Sequence, residues 1–475
     1  MSELMSGRAV LQNKRLHQRS LYWVWGFDCF LLTIILPTMA DSHDLTKKTR
    51  RIEETSSSYF STSQFMSNLT EDLLSEILLR LPNCRFAVQC KTICKRWCSL
   101  ISSPEFISIF IHHRHQKSLV SDSHLSKLLF QNHTSIPHDS QFCQVFPGKS
   151  KIFRENFLNF LPSYTTIRAS FNDLLLVSEP SNSRDFYICN PLTRKWLALP
   201  QAPRGITDCY IRCGLVCFPN NCSNQEKFAT NVHYRYKVVV FGYYNPTCVF
   251  RKFLRRPPVV TIFCSENGQW SELVDFRLPS PLNCLTQIAV LAWTHNQVVA
   301  CNGILYWVES SDTIHWEGLV AFDPSTDVVE KQCSFIAPPI DIDLSLEYNN
   351  IVCVCLGTFQ GRLRLFQRCK VGDCLGLKVW ELREYDQNAQ TSWSLVHNVA
   401  LEIGLPWIFV LALHPSNSNI VFLSWADELF QYDISEGKKK KLGKFPVSIR
   451  MPCMTLSIFP LMHSSWPTPV PALPF

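Results

Sequence analysis

The apolar positions of this chain change their period once. Between residues 68 and 113 they recur at helical spacing, and beyond about residue 142 they come in short runs divided by turn-forming residues. From Thr70 to Leu81 the apolar residues are Leu73, Leu74, Ile77, Leu78 and Leu81. That spacing draws one wide stripe along a helix, with Glu71, Asp72, Ser75, Glu76 and Arg80 on the other side. Asn68 stands three residues before Glu71, the spacing of a capping box, and Pro82 stops the helix at Leu81. A second helix is predicted over 85–101, where Val88, Ile93, Cys94, Trp97, Leu100 and Ile101 recur at three- and four-residue steps. Pro104 ends it, and the apolar run from Phe106 to Ile111 completes the module. Two short helices cannot hide all of these side chains, each worth roughly 1.5–3 kcal/mol when buried, so part of the surface is offered to a partner.

From Phe142 onward, runs rich in Val, Ile, Phe, Tyr and Trp alternate with clusters of Asn, Gly, Pro, Ser and Asp. Residues 173–177, 236–243, 351–356, 419–423 and 429–432 read as strands, and no long helical pattern interrupts them. An imperfect repeat runs through this half. Phe186-Tyr187-Ile188-Cys189-Asn190-Pro191-Leu192-Thr193-Arg194-Lys195-Trp196 is a strand, a turn and a second strand, and residues 263–270, 321–327 and 431–438 echo it. Asp or Asn followed by a small residue or proline favours that turn. Roughly 320 residues at about 40–50 per four-stranded unit allow six or seven blades of a propeller.

The helical module resembles the F-box. The family pattern is a Leu-Pro start, a Leu-Leu-x-Glu-Ile-Leu helix, Arg-Leu-Pro, a Val-Cys-Lys-x-Trp helix and a Pro-x-Phe tail. Here it reads Leu69-Thr70, Leu73-Leu74-Ser75-Glu76-Ile77-Leu78, Arg80-Leu81-Pro82, Ile93-Cys94-Lys95-Arg96-Trp97 and Pro104-Glu105-Phe106. Thr70 replaces the usual proline, and Cys90 sits where a larger apolar residue is common. The resemblance implies docking on a Skp-type adaptor, and through it on a cullin, by Leu69, Leu73, Ile77, Leu81, Pro82, Ile93 and Trp97. Some of these side chains would instead hold the helices together. The phrase Ile188-Cys189-Asn190-Pro191-Leu192-Thr193-Arg194-Lys195-Trp196 resembles the opening of the kelch-like, F-box-associated region of plant F-box proteins. Asn302-Gly303-Ile304-Leu305-Tyr306-Trp307 and the pair Val379-Trp380-Glu381-Leu382 with Ser392-Trp393 are similar to its later blades. Core packing is the expected role of these aromatic residues.

The expected architecture is therefore α+β and multidomain, a small all-α F-box followed by an all-β, propeller-like domain. Its segments are 1–66 as a flexible or extension segment, 67–113 as the helical module, 114–141 as a connector with one short helix, 142–460 as the propeller-like domain and 461–475 as a tail. Composition agrees with an ordinary globular chain, 46% hydrophobic and 18% charged over 475 residues. The net charge of +7 is diffuse, and its one dense run, Lys438 to Lys441, reads as a solvated turn with no use in nucleic-acid binding. The 21 cysteines lie in apolar patterns, as at Cys213, Cys217, Cys264, Cys301, Cys353 and Cys355, and read as small buried hydrophobes of a reducing compartment. Cys90, Cys94 and Cys98 recur along the second predicted helix beside His112, His113 and His115, but zinc sites prefer two-residue cysteine spacings.

Leu21 to Leu36 is strongly apolar and follows Arg8, Lys14, Arg15 and Arg19. With Thr38-Met39-Ala40 resembling a signal-peptidase site, the pattern alone fits a membrane anchor or signal peptide, but the run is short for a bilayer span and carries Asp28, so the reading preferred is no membrane role. Residues 1–38 are expected to be a dispensable or wrongly included extension, with Met39 as an ordinary start. No phosphate-cradling glycine loop, nucleophile elbow or His-Glu-x-x-His occurs. His295 and His414 border apolar strands and read as core or loop residues. Neither cofactor, metal nor catalytic residue is expected, and a basic cluster at Arg251, Lys252, Arg255 and Arg256 reads as a solvated loop. The resemblance implies a non-catalytic substrate receptor of a Skp–cullin–F-box ubiquitin ligase, cytoplasmic or nuclear, holding a protein target. Its rivals are a non-degradative F-box scaffold acting without the cullin and, more remotely, a propeller enzyme.

Overall fold

The computed structural model describes the helical segment between residues 69 and 113 and, between 127 and 470, the strands with most of the turns that join them. Outside the described residues lie 1–68 with the apolar run, Pro82, much of the expected connector, the basic cluster at 251–256, His295 and Cys353. The chain divides into two compact units, one helical and one built of strands.

In the helical unit α1 spans Glu71–Leu79, α2 Cys84–Cys90 and α3 Lys95–Ser102, and residues 105–110 form a further helical stretch. Thr70 caps α1, its backbone extended and its hydroxyl accepting from the Leu73 N–H at 3.5 Å, and Glu71 and Asp72 face the positive helix end. The threonine thus starts the helix in place of the family's proline. The single helix expected over 85–101 is instead two. Thr92 Oγ1 donates to the Gln89 carbonyl at 2.8 Å, a side-chain bond that competes with the helical ladder, and the chain turns there. Cys94 is extended, at φ −159° and ψ 167°, and its thiol accepts from the Trp97 N–H to cap α3. Arg96 donates to the Leu69 carbonyl and ties α3 to the entrance of α1. Leu74, Leu78, Cys90, Trp97, Ile101, Phe106 and Phe110 form the core of the unit.

The β unit is six antiparallel sheets among the described residues, five of four strands and one of five. The first holds β1 (Lys127–Asn132), β2 (Phe142–Val145) and β3 (Ile152–Arg154). The second holds β4 (Thr166–Phe171), β5 (Leu174–Ser178), β6 (Phe186–Asn190) and β7 (Lys195–Ala198). The third holds β8 (Cys209–Pro219), β9 (Tyr234–Tyr244), β10 (Val259–Cys264) and β11 (Gln269–Trp270), with β12 (Val274–Asp275) added on β10. The fourth holds β13 (Val299–Cys301), β14 (Ile304–Ser310), β15 (Trp316–Phe322) and β16 (Cys333–Ile336). The fifth holds β17 (Val354–Phe359), β18 (Arg362–Val371), β19 (Cys374–Leu382) and β20 (Trp393–Leu401). The sixth holds β21 (Ile408–Leu413), β22 (Ile420–Trp425), β23 (Glu428–Asp433) and β24 (Lys438–Lys444).

A last strand, β25 (Leu456–Leu461), pairs with β1 and supplies the inner strand of the first sheet. The inner strands pack in sequence, β4 on β8, β8 on β13, β13 on β17 and β17 on β21, and β25 packs on both β21 and β4. The sheets therefore form a closed six-bladed propeller, one of the two blade counts that length allowed. Each inter-blade space has its own apolar cluster. On β5, Leu174 and Leu176 face the third sheet while Leu175 and Val177 face the first. On β9, Val238 and Val240 face one way and Val239 and Phe241 the other. Burial on both faces is why these strands read as continuous apolar runs rather than alternating ones.

The turns account for the repeat seen in the sequence. It is the outer hairpin of the second, third, fourth and sixth blades, and in each an Asn or Asp side chain accepts backbone N–H groups. Asn190 Oδ1 takes Leu192 N at 2.9 Å, Asn267 Oδ1 takes Gln269 N at 3.0 Å, Asp323 Oδ1 takes Ser325 N at 2.8 Å and Asp433 Oδ1 takes Ser435 N at 2.9 Å. The inner hairpins Asn302-Gly303 and Gln360-Gly361 have positive φ at both residues, the two-residue turn that matches strand twist.

Three further expectations differ from the structure. Part of the expected connector is β1, whose residues Leu128, Leu129 and Phe130 are buried between blades. The Lys438–Lys441 run is the start of edge strand β24, not a turn. Lysines on an outer strand keep it wet and discourage edge-to-edge association. The expected tail is partly docked. Thr468 donates its N–H to Asp173 Oδ2 at 2.8 Å and accepts from Asn190 Nδ2 at 2.8 Å, and Val470 packs on the adjoining cluster.

Burial holds the Asp173 carboxyl above the usual carboxylate range, against the bonds from Thr468 and Asn190 that favour its charge. With the folded value above the unfolded one, stability from Asp173 is fullest below about pH 3.9 and fades as pH rises through the folded value. Asp173→Asn is expected to flatten this limb of the stability profile. Asp173→Ala, which leaves the Thr468 N–H unpaired, should lower the unfolding free energy by about 1–3 kcal/mol. Denaturant unfolding between about pH 4 and pH 7 measures both.

Candidate functional site

The helical unit separates the residues singled out for docking into two groups. Leu81 and Trp97 are buried, at 7% and 5% exposure, and belong to its core. Leu73 and Ile93 are open, at 55% and 46% exposure. Leu69 and Ile77 are half-buried, and Pro82 lies outside the described residues. On α1 the buried residues are Leu74, Leu78 and Leu79, and Leu73 and Ile77 each lie one position before a buried leucine, so the wide stripe is part core and part surface. Ile93 is held outward by the turn between α2 and α3, the break that the helical pattern concealed.

Sequence reasoning did not single out Ile109, which is 53% exposed beside buried Phe106, Ile107 and Phe110. A signal was present, because positions 106, 107 and 110 share a helix face and 109 falls off it. Cys90 is buried on α2, with its thiol pushed up to about 12 by burial, while Cys94 and Cys98 are exposed at and beyond the cap of α3. The break thus removes the single helix on which the three cysteines were to recur.

Of the aromatic residues quoted for the resemblance, Tyr306, Trp307 and Trp380 sit in the walls, whereas Trp196 on β7 is 41% exposed and does not take the core role expected of it. Trp307 is fully buried against Phe241, with ring centroids 4.7 Å apart, and Trp380 is 6% exposed. Trp393 is half-buried and donates Nε1–H to the Ala337 carbonyl at 2.9 Å. His414 is buried and stacked on Phe422. The described cysteines are free, and burial pushes the Cys213 and Cys217 thiols up to about 12 and Cys301 to about 11, which makes them inert packing groups.

Two sets of charges inside the β unit are paired. Arg212 meets Glu309 at 2.7 Å between the third and fourth blades, and the same carboxylate oxygen accepts Trp307 Nε1–H at 2.8 Å. Arg364 donates through Nε and Nη2 to Glu381 Oε2, while Arg362 takes the other oxygen at 2.7 Å. These pairs brace the walls, and no group of three or more metal-ligating side chains comes together among the described residues. Nor is any described helix long and apolar enough to cross a membrane.

Trp97→Ala is expected to cost the helical unit about 3–5 kcal/mol, whereas Leu73→Ala and Ile93→Ala should change its stability by less than about 0.5 kcal/mol. Hydrogen exchange over α1 to α3 in the full chain reads the difference.

Comparison with known proteins agrees with this division. An F-box domain model matches residues 66–108, and the model described as "F-box protein At3g26010-like, beta-propeller" matches residues 153–434. The chain is 26% identical over 399 residues to F-box protein At5g49610 of Arabidopsis thaliana, covering 80% of this chain and 91% of that protein. It is 24% identical over 363 residues to the putative F-box/kelch-repeat protein At1g15680 of the same plant, covering 75% and 78%. With an F-box ahead of a closed ring of antiparallel sheets that the family model spans for most of its length, the chain belongs to the At3g26010-like family of F-box β-propeller proteins.

Proposed function

We propose that this chain is the substrate-recognition subunit of a Skp–cullin–F-box ubiquitin ligase. The single observation that carries the reading is the apolar surface left open on a small helical unit. Leu73, Ile93 and Ile109 are all about half exposed within some forty residues, where three wet aliphatic side chains forgo stabilisation of roughly 1.5–3 kcal/mol each. A Skp-type adaptor that covers them would recover it. Leu73, Ile77 and Ile93 are the contacts, joined by Ile109. Leu69, Leu81 and Trp97 act at the edge of the face or beneath it, keeping the helices in the arrangement that presents it.

The propeller holds a protein target, and the cullin joined through the adaptor brings a ubiquitin-loaded enzyme to it. No nucleophile is required of this chain, because its contribution is effective concentration. Work beside the adaptor places the protein in the cytoplasm or nucleus.

Leu73→Asp combined with Ile93→Asp tests the proposal. Neither side chain is in the core, so the propeller should unfold at its usual temperature while co-purification with adaptor and cullin falls at least about tenfold. Undiminished capture by the double variant would refute the docking face. Capture of adaptor without cullin would refute the ligase reading while leaving the face intact.

A further inference from the structure

Arg168 departs from the charge economy of the propeller. Arg212 and Arg364 are each set against a carboxylate. Arg168 has no acidic partner among the described residues, and its one bond runs from Nε to Ser178 Oγ at 2.7 Å. Among the described residues its one titratable neighbour is Cys213, whose thiol burial keeps neutral, and burial likewise depresses the arginine's own affinity for its proton. A guanidinium withdrawn from bulk water without a counter-ion is costly to keep.

The backbone explains where this side chain goes. Arg168 lies on β4, the inner strand of the second blade, where the register with β5 shifts between Ile167 and Ala169. Ile167 packs with Leu129, Leu175 and Val177 toward the first blade, and Ala169 packs with Leu174, Leu176 and Cys213 toward the third. Both flanks are thus filled by apolar side chains, and the bulge takes Arg168 out of the alternation between them. Arg168 as a whole is half-buried, and its Nη atoms bond no described residue, so the free end of the side chain reaches solvent. For an inner strand with both flanks packed, that solvent is the channel along the axis of the ring.

With Nε anchored on Ser178, the four N–H bonds of the two Nη atoms form a fork directed at whatever enters. Such a fork matches the two oxygens of an oxyanion. One charge sets the preference, since a monoanion neutralises the site while a dianion would leave net negative charge in a confined space with no second cation beside it. We propose that Arg168 is an anion receptor on the axis of the propeller, and that its ligand is a carboxylate, carried by a small organic acid or by the carboxyl group of a peptide. This site is independent of the helical unit and stands whether or not that unit docks on an adaptor.

The test is thermal unfolding of the full chain against increasing acetate, with chloride and inorganic phosphate at matched ionic strength, for the native chain, Arg168→Met and Arg168→Lys. Saturable stabilisation of the native chain is expected in acetate, at a concentration about tenfold below any effect of chloride. Arg168→Met should lose that response without a lower starting midpoint, because a methionine of similar length removes the uncompensated charge. Arg168→Lys, which keeps charge but not the fork, should respond only weakly. A short peptide with a free C-terminal carboxylate, compared with its amide, separates the two sources. Tighter binding of the acid peptide than of acetate identifies a peptide, and equal binding a small acid. An acetate response absent from the native chain, or retained in Arg168→Met, overturns the proposal. A stronger response to phosphate than to acetate overturns the assignment of a monoanion.

Discussion

Closure of the ring by β25 is the constraint on which the β unit depends. An open row of six twisted sheets would leave the outer faces of its first and last blades wet. Pairing β25 with β1 sets Ile458 beside Leu128 and Phe130 against the sixth blade, while Phe459 and Leu461 join Leu129 against the second. One strand from the far end of the chain thus completes two apolar clusters. The contacts are among the most distant in sequence that the fold makes, so their loop-closure entropy is largely offset by the two interfaces they seal. The docked segment at Thr468 continues the same device, its backbone making two hydrogen bonds to side chains of the second blade a few residues beyond the closing strand.

A ring with both faces of most strands buried has no place for unpaired charge, and the described interior follows that rule with care. Glu309 is fully buried, yet it is met by a guanidinium and an indole N–H on one oxygen. Glu381 is held by two arginines, whose bonds outweigh the burial that would push its carboxyl up and leave it below the usual range. The Arg212–Glu309 pair joins the third blade to the fourth and the Glu381 pairs tie β18 to β19 within the fifth, and removing either partner would strand the other. Against this background one arginine without an acid is a departure in a system that otherwise balances its charges.

Much of the architecture was legible in the sequence because its signals are local. The Asn and Asp turns of the outer hairpins act within three residues, so 186–196 and its echoes showed where strands reverse. The α1 stripe, its acidic first turn and Pro82 likewise act within one helix. What escaped is whatever depends on distant partners or on competition between weak local terms. β1 sits in a polar stretch and becomes a strand only because β25 lies beside it. The break at Thr92 to Cys94 turns on one hydroxyl and one thiol choosing backbone partners, and periodicity does not register that choice. The lysines of β24 look like a turn because an edge strand with lysine at four successive positions has no apolar face to betray it.

The same distinction governs the candidate sites. Periodicity identified the apolar residues of the helical unit but could not divide them, because Leu73 and Leu74 are equivalent to any scale of hydrophobicity and differ only in which side of α1 meets α3. Once the packing is known, burial sorts them, and the remainder is an aliphatic surface on a unit too small to need it for itself. The propeller offers the opposite case. Its walls are saturated with apolar contacts and paired charge, so what it presents to a ligand must come from turns at the ends of the ring or from the few inner-strand side chains that a bulge frees. The helices are therefore marked by exposed aliphatics, and the propeller by polar groups released locally from an otherwise satisfied scaffold.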